Sequence, residues 1–153
     1  MSIGDQTYME LALDEARRGF DEGEVPVGCV IVDAPSGIVL ARTTNRTETD
    51  NDPTAHAELL AIREACRQKG STRLPDCDLY VTLEPCAMCA TAISFARIRR
   101  VYFAAYDPKM GGVEHGPAIF QQPTCHHGPE VYGGLHEQAA ADLLKRFFQE
   151  KRG

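Results

Sequence analysis

The chain has 153 residues, 43% of them hydrophobic and 25% charged, so one domain spanning 1–153 is expected, large enough to bury a core of its own. A formal net charge of −6 argues against a generic cationic nucleic-acid binder. The longest apolar run, Val27 to Val32, is too short to cross a bilayer, and the first six residues lack the basic and apolar stretches of a secretion signal. The expectation is a cytoplasmic protein, without a membrane segment, whose six cysteines are reduced and favour metal ligation over disulfides.

Met9, Ala12, Leu13, Ala16 and Phe20 recur at helical spacing and predict a first helix, with Thr7 and Glu10 as its capping box and Gly19 to Gly23 as its end. Val27 to Val32 reads as a buried strand, and Ile38 to Thr43 as its hairpin partner across Pro35-Ser36-Gly37. Cys29 is then a small core residue. Asn45 to Asp52 is loop-like. Asp52-Pro53 predicts a helix start that places His56 and Glu58 in the first two turns of a helix reaching about Lys69, with Cys66 packed on it. Asp78 to Leu83 is a third strand, Pro85 opens a helix from Cys86 to about Arg97, and Val101 to Tyr106 is a fourth strand. A long loop from Asp107 to about Glu130 has a length usually associated with function or mobility. Glu130 to Tyr132 is a short strand, and Leu135 to Lys151 a last helix with Leu143, Leu144, Phe147 and Phe148 facing inward. Alternating strands and helices imply an α/β layer, a five-stranded mixed sheet with helices on both faces.

Charge is spread unevenly. Residues 1–24 carry a balance of −5, whereas residues 97–109 carry +3 and residues 141–153 carry +2. The two basic segments either converge into a local patch or are solvated helix ends.

Two motifs carry chemistry: His56-Ala57-Glu58 and Pro85-Cys86-Ala87-Met88-Cys89. Cysteines three apart at a helix start project to one side and can share an ion, with His56 as third ligand. Three protein ligands leave the fourth position of a zinc site open for water, as catalytic sites do. Glu58 is then free to move protons. Taken alone, a CxxC motif is often a redox pair or half of a structural zinc site, and HxE means little. No second CxxC or CxxH stands at usable spacing to close a four-ligand site. The two motifs in this order form a signature of zinc-dependent nucleobase deaminases. Cys125-His126-His127 offers a weaker second candidate, because adjacent residues rarely converge on one ion.

The segments Asn45-Arg46, Asp52 to Glu58 and Tyr80 to Cys89 together resemble the bacterial tRNA-specific adenosine deaminase family. Glu24 to Gly28, Arg97 to Val101, and Glu130 to Gly134 leading into the helix with Phe147-Phe148 extend the resemblance over nearly the whole chain. It implies the cytidine-deaminase-like three-layer α/β/α sandwich, one zinc per subunit on His56, Cys86 and Cys89, and Glu58 as proton shuttle. It further implies that Asn45, Val27 and Ala57 contact the extruded base, and that Asp107 lies near the neighbouring ribose. The implied substrate is the wobble adenosine of a tRNA anticodon arm, and the implied assembly a homodimer. Gly111 to Gly116 departs from the small, neutral run the resemblance leads one to expect. One alternative is a deaminase of free guanine or cytosine; guanine deaminases typically read Pro-Cys-Pro-Met-Cys, whereas position 87 here is Ala. The other is a silent zinc scaffold, against which Glu58 speaks. The apolar helix after Cys86, with Met88, Ala92, Ile93, Phe95 and Ala96, has more hydrophobic surface than one sheet face needs, which favours an interface.

Overall fold

The computed structural model describes residues 3–152. Its elements run α1 (Ile3–Asp21), β1 (Gly28–Asp33), β2 (Ile38–Thr44), α2 (Ala57–Lys69), β3 (Cys77–Leu83), α3 (Ala87–Phe95), β4 (Arg100–Ala105), β5 (Glu130–Gly133) and α4 (Glu137–Arg152). The strands form one sheet in the order β2-β1-β3-β4-β5. β1 is antiparallel to both β2 and β3, whereas β3, β4 and β5 are mutually parallel.

The sheet is buried on both faces, which is why its central strands read as continuous apolar runs. In β1, Cys29 and Ile31 join one core with Leu79, Val81, Val101 and Phe103, under Ala57, Ala61 and Ala65 of α2 and Ile93 of α3. Val30 and Val32 point the other way, to Met9, Ala12 and Leu13 of α1 and Ala140 of α4. The result is the expected three-layer α/β/α sandwich: α1 and α4 on one face, α2 and α3 on the other. α1 lies close enough on β1 that a Cβ at Gly28 would stand 1.9 Å from the Ala12 carbonyl oxygen.

In-register parallel pairing lines up Tyr80, Tyr102 and Tyr132 on the α1 side. The first two rings stack at 4.5 Å and the second pair at 5.0 Å. Tyr80 Oη donates to Asp5 at 2.6 Å. That tether, with an acidic side chain in the first turn where the helix dipole favours it, accompanies an earlier start of α1 than the sequence suggested. Thr7 and Glu10 consequently lie inside the helix and form no capping box.

Three other expectations shift. Asp52 does not cap α2: its Oδ1 accepts from both the N–H and the hydroxyl of Thr54, closing a separate turn. α2 therefore begins at Ala57, with His56 as its N-cap in extended conformation, rather than with His56 inside the first turns. α4 starts at Glu137 rather than Leu135, after His136 takes a left-handed φ of 59°. On α4, Leu143 and Phe147 are buried and Leu144 is half-buried. Phe148, one step further around the helix, is exposed and packs edge-on against Phe147. The 107–129 connection is ordered by its own contacts, including a 3-10 turn at Ile119–Gln121. Among the described residues, no helix is long and apolar enough to cross a membrane.

Candidate active site

Two helix N-termini on the same face of the sheet meet at one point. His56 is the N-cap of α2, Cys86 is the N-cap of α3, and neither side chain is used as a cap. Both are therefore free to turn toward each other. Cys89, one turn into α3, completes the group. His56 Nδ1 stands 3.7 Å from Cys86 Sγ and 3.5 Å from Cys89 Sγ, and the three donor atoms lie within 4.8 Å of one another. Ligands of a tetrahedral zinc, at about 2.3 Å for sulfur and about 2.0–2.1 Å for nitrogen, stand roughly 3.5–3.8 Å apart. The triad fits such an ion with little movement, and three ligands leave one position for something else. Among the described residues it is the one group of three or more potential ligands arranged this way.

The electrostatics suit a cation. Cys89 donates a hydrogen bond to the Cys86 sulfur, and against burial this bond, together with His56, brings Cys86 down to about 4. The same shared proton, with burial, holds Cys89 well above the usual thiol range. The Cys86 sulfur in turn raises His56. A divalent ion competes directly for that shared proton. Glu58 is 4% exposed, and burial pushes its carboxyl up to about 7. It reaches the Cys89 thiol from the side of α2, next to the triad.

A cavity of about 260 Å³ opens over these residues. Val25, Val27, Asn45 and Thr47 form one wall, Leu83, Glu84, Asp107 and Met110 the other, with His56, Glu58 and Cys86 at the base. That is below the range of about 300–1,000 Å³ for drug-sized ligands, a size suited to one base rather than to a chain of them. Asn45 Oδ1 accepts the Ala57 N–H at 2.8 Å, which leaves the amide nitrogen to donate into the cavity. Ala57 itself is fully buried, its N–H spent on Asn45 and its carbonyl on Thr43; it meets the cavity only through Asn45. Asp107 lines the rim and accepts the Lys109 and Met110 N–H groups on Oδ1.

Both walls are held by carboxylates to which the sequence reading gave no role. Glu24 accepts from the Thr47 hydroxyl, the Glu48 N–H, and the N–H and hydroxyl of Thr49. Glu84 does the same for the opposite wall. Burial opposes ionisation of each, and the donors outweigh it, so both carboxyls lie below their usual range. A buried Glu looks like any other acid in a sequence; the signal here was that both lie in segments that carry the family resemblance, Glu24 two residues before Pro26 and Glu84 next to Pro85.

The remaining cysteines stand apart. Cys29 is core, its thiol raised by burial and by Glu58 behind it. Burial likewise raises Cys66 and brings Cys77 up to about 11. Cys125 donates to the His127 carbonyl and lies near Ser94 Oγ, while His127 Nε2 meets the Ile98 carbonyl oxygen at 2.7 Å. That segment ties a loop to α3 and gathers no ligand set. A larger groove of about 720 Å³ runs along β2 between Arg18, Arg42 and Arg46. Its arginines are paired with Glu15 and Asp50 and it holds no ligating cluster, so the chemistry belongs to the smaller cavity.

The basic side chains have local partners of their own. Arg99 pairs with Asp78 and Arg100 with Glu130, at the start of β4, a strand length of about 20 Å from Lys109 at its far end. Arg146 and Lys151 lie over Phe20 and Phe147, on the layer of α1 and α4.

Residues 2–105 match the cytidine and deoxycytidylate deaminase zinc-binding region. The chain belongs to that deaminase family. Its cofactor is zinc, and the His56, Cys86 and Cys89 group is one that could hold it. The tRNA-specific adenosine deaminase of Agrobacterium fabrum is 59% identical over 145 residues, covering 95% of this chain and 94% of that one. The same-named protein of Rickettsia typhi is 46% identical, covering 94% and 97%. A structure solved in work on A-to-I editing by tRNA:A34 deaminases superposes with a TM-score of 0.87 at 58% identity, over 90% of this chain and 98% of that chain.

Metal analysis of purified variants checks the ligand set. Cys125→Ala is expected to keep one zinc per chain, whereas Cys89→Ala, which removes a buried candidate ligand, is expected to lose it. Loss of zinc from Cys125→Ala would overturn the assignment.

Proposed function

We propose that this enzyme hydrolyses adenosine to inosine at the wobble position of a tRNA anticodon, in the cytoplasm, with His56, Cys86 and Cys89 holding zinc and Glu58 moving protons. The observation that carries the reading is the one-base cavity beside the triad and Glu58, in a chain whose relatives at 46–59% identity are named tRNA-specific adenosine deaminase and whose fold matches a structure from work on tRNA:A34 deaminases at the wobble position. Once bound, zinc supplies an acidified water able to attack at neutral pH. Adenosine and water become inosine and ammonia. Glu58 accepts a proton from the attacking water, delivers it to N1 of the base, and later helps the C6 amino group leave as ammonia. Val27 and Leu83 give the base apolar walls, Asn45 donates to it, and Asp107 meets the neighbouring nucleotide at the rim.

The target atom lies inside a stacked base, so the nucleotide must be extruded, and a single-stranded anticodon loop makes that cheap. RNA loops are read by splayed bases and local shape. An acidic protein with dispersed cations is therefore compatible with such a substrate. A deaminase of free guanine or cytosine is the other enzymatic reading, and Ala87, where guanine deaminases typically carry Pro, counts against it.

We further infer a homodimer built on α3. Ile93 and Ala96 are buried within the subunit, contrary to their expected share in an outer face. Met88 and Phe95 are exposed, Phe95 at 75%. With Leu59, Ile62 and Ala92, and with Arg63, Arg73 and Arg97 among its other lining residues, Phe95 lines a groove of about 490 Å³ between α2 and α3. An exposed apolar strip of this kind suits a second copy.

Two outcomes are expected. Glu58→Ala keeps zinc and fold but loses turnover by about three to four orders of magnitude, read as inosine at the wobble position after incubation with bacterial tRNA and, in parallel, with free purines and pyrimidines. Near-normal turnover, or expulsion of zinc, would contradict the assigned role, and activity confined to free bases would contradict the substrate. Light scattering is expected to give twice the 16.8 kDa chain mass at micromolar concentration and the monomer for Phe95→Glu; a monomeric wild type would contradict the interface.

A further inference from the structure

Glu84 takes no part in the proton transfers above, yet its side chain has no solvent exposure and is surrounded by donors. Oε1 accepts the Asp107 N–H at 3.0 Å and meets His115 Nδ1 at 2.8 Å. Oε2 accepts the N–H groups of Val113, Glu114 and His115 at 3.2, 2.9 and 3.0 Å. All of these partners lie between Asp107 and His115; none belongs to the strands or helices of the core. A buried carboxylate with no donors would be strongly unfavourable, so side chain and segment require each other.

The same segment is docked on the start of α3. The Gly112 N–H donates to the Pro85 carbonyl at 2.8 Å, and Gly111 forms an isolated bridge with Cys86. Contact is close enough that a Cβ at Gly112 would stand 2.6 Å from the Ala87 nitrogen. Glu84 thus joins three things: the end of β3, the helix that carries Cys86 and Cys89, and the cavity wall that carries Asp107 and Met110. The stretch from Gly111 to Gly116, unusual at the level of sequence, includes three of the donor residues and adds an imidazole to the cluster.

We propose that Glu84 is a positioning residue, whose carboxylate gathers the backbone of residues 107–115 into the lip that presents Asp107 and Met110 to the nucleotide next to the target base. The inference rests on the reading that this cavity accepts an anticodon nucleotide. Glu84 touches no reacting atom in this scheme. It sets where the substrate's neighbour is held, and so acts on binding rather than on the chemical step.

The test is Glu84→Gln in the zinc-loaded protein. The amide matches the carboxylate in shape but replaces one acceptor oxygen by a donor, so it cannot accept from both sides. Amide hydrogen exchange is expected to speed up by about tenfold to a hundredfold at Asp107 or at Val113 to His115, the loss appropriate to hydrogen bonds made to a charged group. Exchange in α3 and the zinc content should not change. KM for an anticodon stem-loop should rise at least about tenfold while kcat stays within about threefold, as expected when binding and not chemistry is affected. His115→Ala, which removes a single bond at a partly exposed position, should move exchange and KM the same way by about twofold to tenfold, and it carries the test alone if Glu84→Gln does not fold. Unchanged exchange at residues 107–115 would overturn the proposal, as would faster exchange spread evenly over the sheet or loss of zinc. Failure of the wild type to deaminate the stem-loop would instead sink the substrate reading and leave the exchange result standing.

Discussion

The structure depends on one coincidence of position: the N-terminal caps of two helices, separated by 30 residues of chain between His56 and Cys86, stand within ligand distance of each other. A slip of α2 by a single turn, about 5.4 Å, would abolish the contact. What prevents the slip is the packing of small side chains. Ala57, Ala61 and Ala65 recur every four residues along α2, all with zero exposure, and let the helix lie close against the sheet. Ile93 and Ala90 do the same for α3. The core under the triad is therefore part of the site, because it sets the separation of three donor atoms that no local sequence fixes.

Three buried glutamates then divide the work, and environment alone separates them. Glu24 and Glu84 are ringed by N–H and hydroxyl donors, which outweigh burial and keep them ionised. Glu58 has only its own backbone and the Cys89 thiol as hydrogen-bond donors, with Cys86 and His56 close by and acting in opposite directions, so burial prevails and raises it. The first two hold the walls of a cavity; the third is left able to change its protonation state between them. Rigid walls and a labile carboxyl in one small space are the arrangement that general acid–base chemistry on a bound base requires.

Much of this was legible before any coordinates. The strands could be read because both faces of the sheet are buried, which leaves unbroken apolar runs such as Gly28 to Val32. The candidate ligands could be picked out because metal chemistry accepts few residue types at few spacings, and the fold brings the donor atoms of His56, Cys86 and Cys89 together. Other features were lost for physical reasons. The start of α1 is accompanied by a tertiary bond from Tyr80 to Asp5, invisible at Thr7. Asp52 looked like a helix cap because a side chain that caps a helix and one that closes a turn use the same oxygen. Whether the basic segments form one patch could not be read because sequence counts charge without direction; within the first of them the fold sends Arg99 and Arg100 to the opposite end of β4 from Lys109. Glu24 and Glu84 were unreadable because their role is written in backbone N–H groups, which every residue but proline carries.

The central claim is that three protein ligands hold the metal and leave one position open. X-ray absorption at the zinc edge of the loaded protein measures it most directly. The account predicts two sulfur neighbours at about 2.3 Å and two nitrogen or oxygen neighbours at about 2.0–2.1 Å, one of them exchangeable with solvent. Three or four sulfur neighbours would bring a further cysteine into the sphere, close the site, and contradict the account.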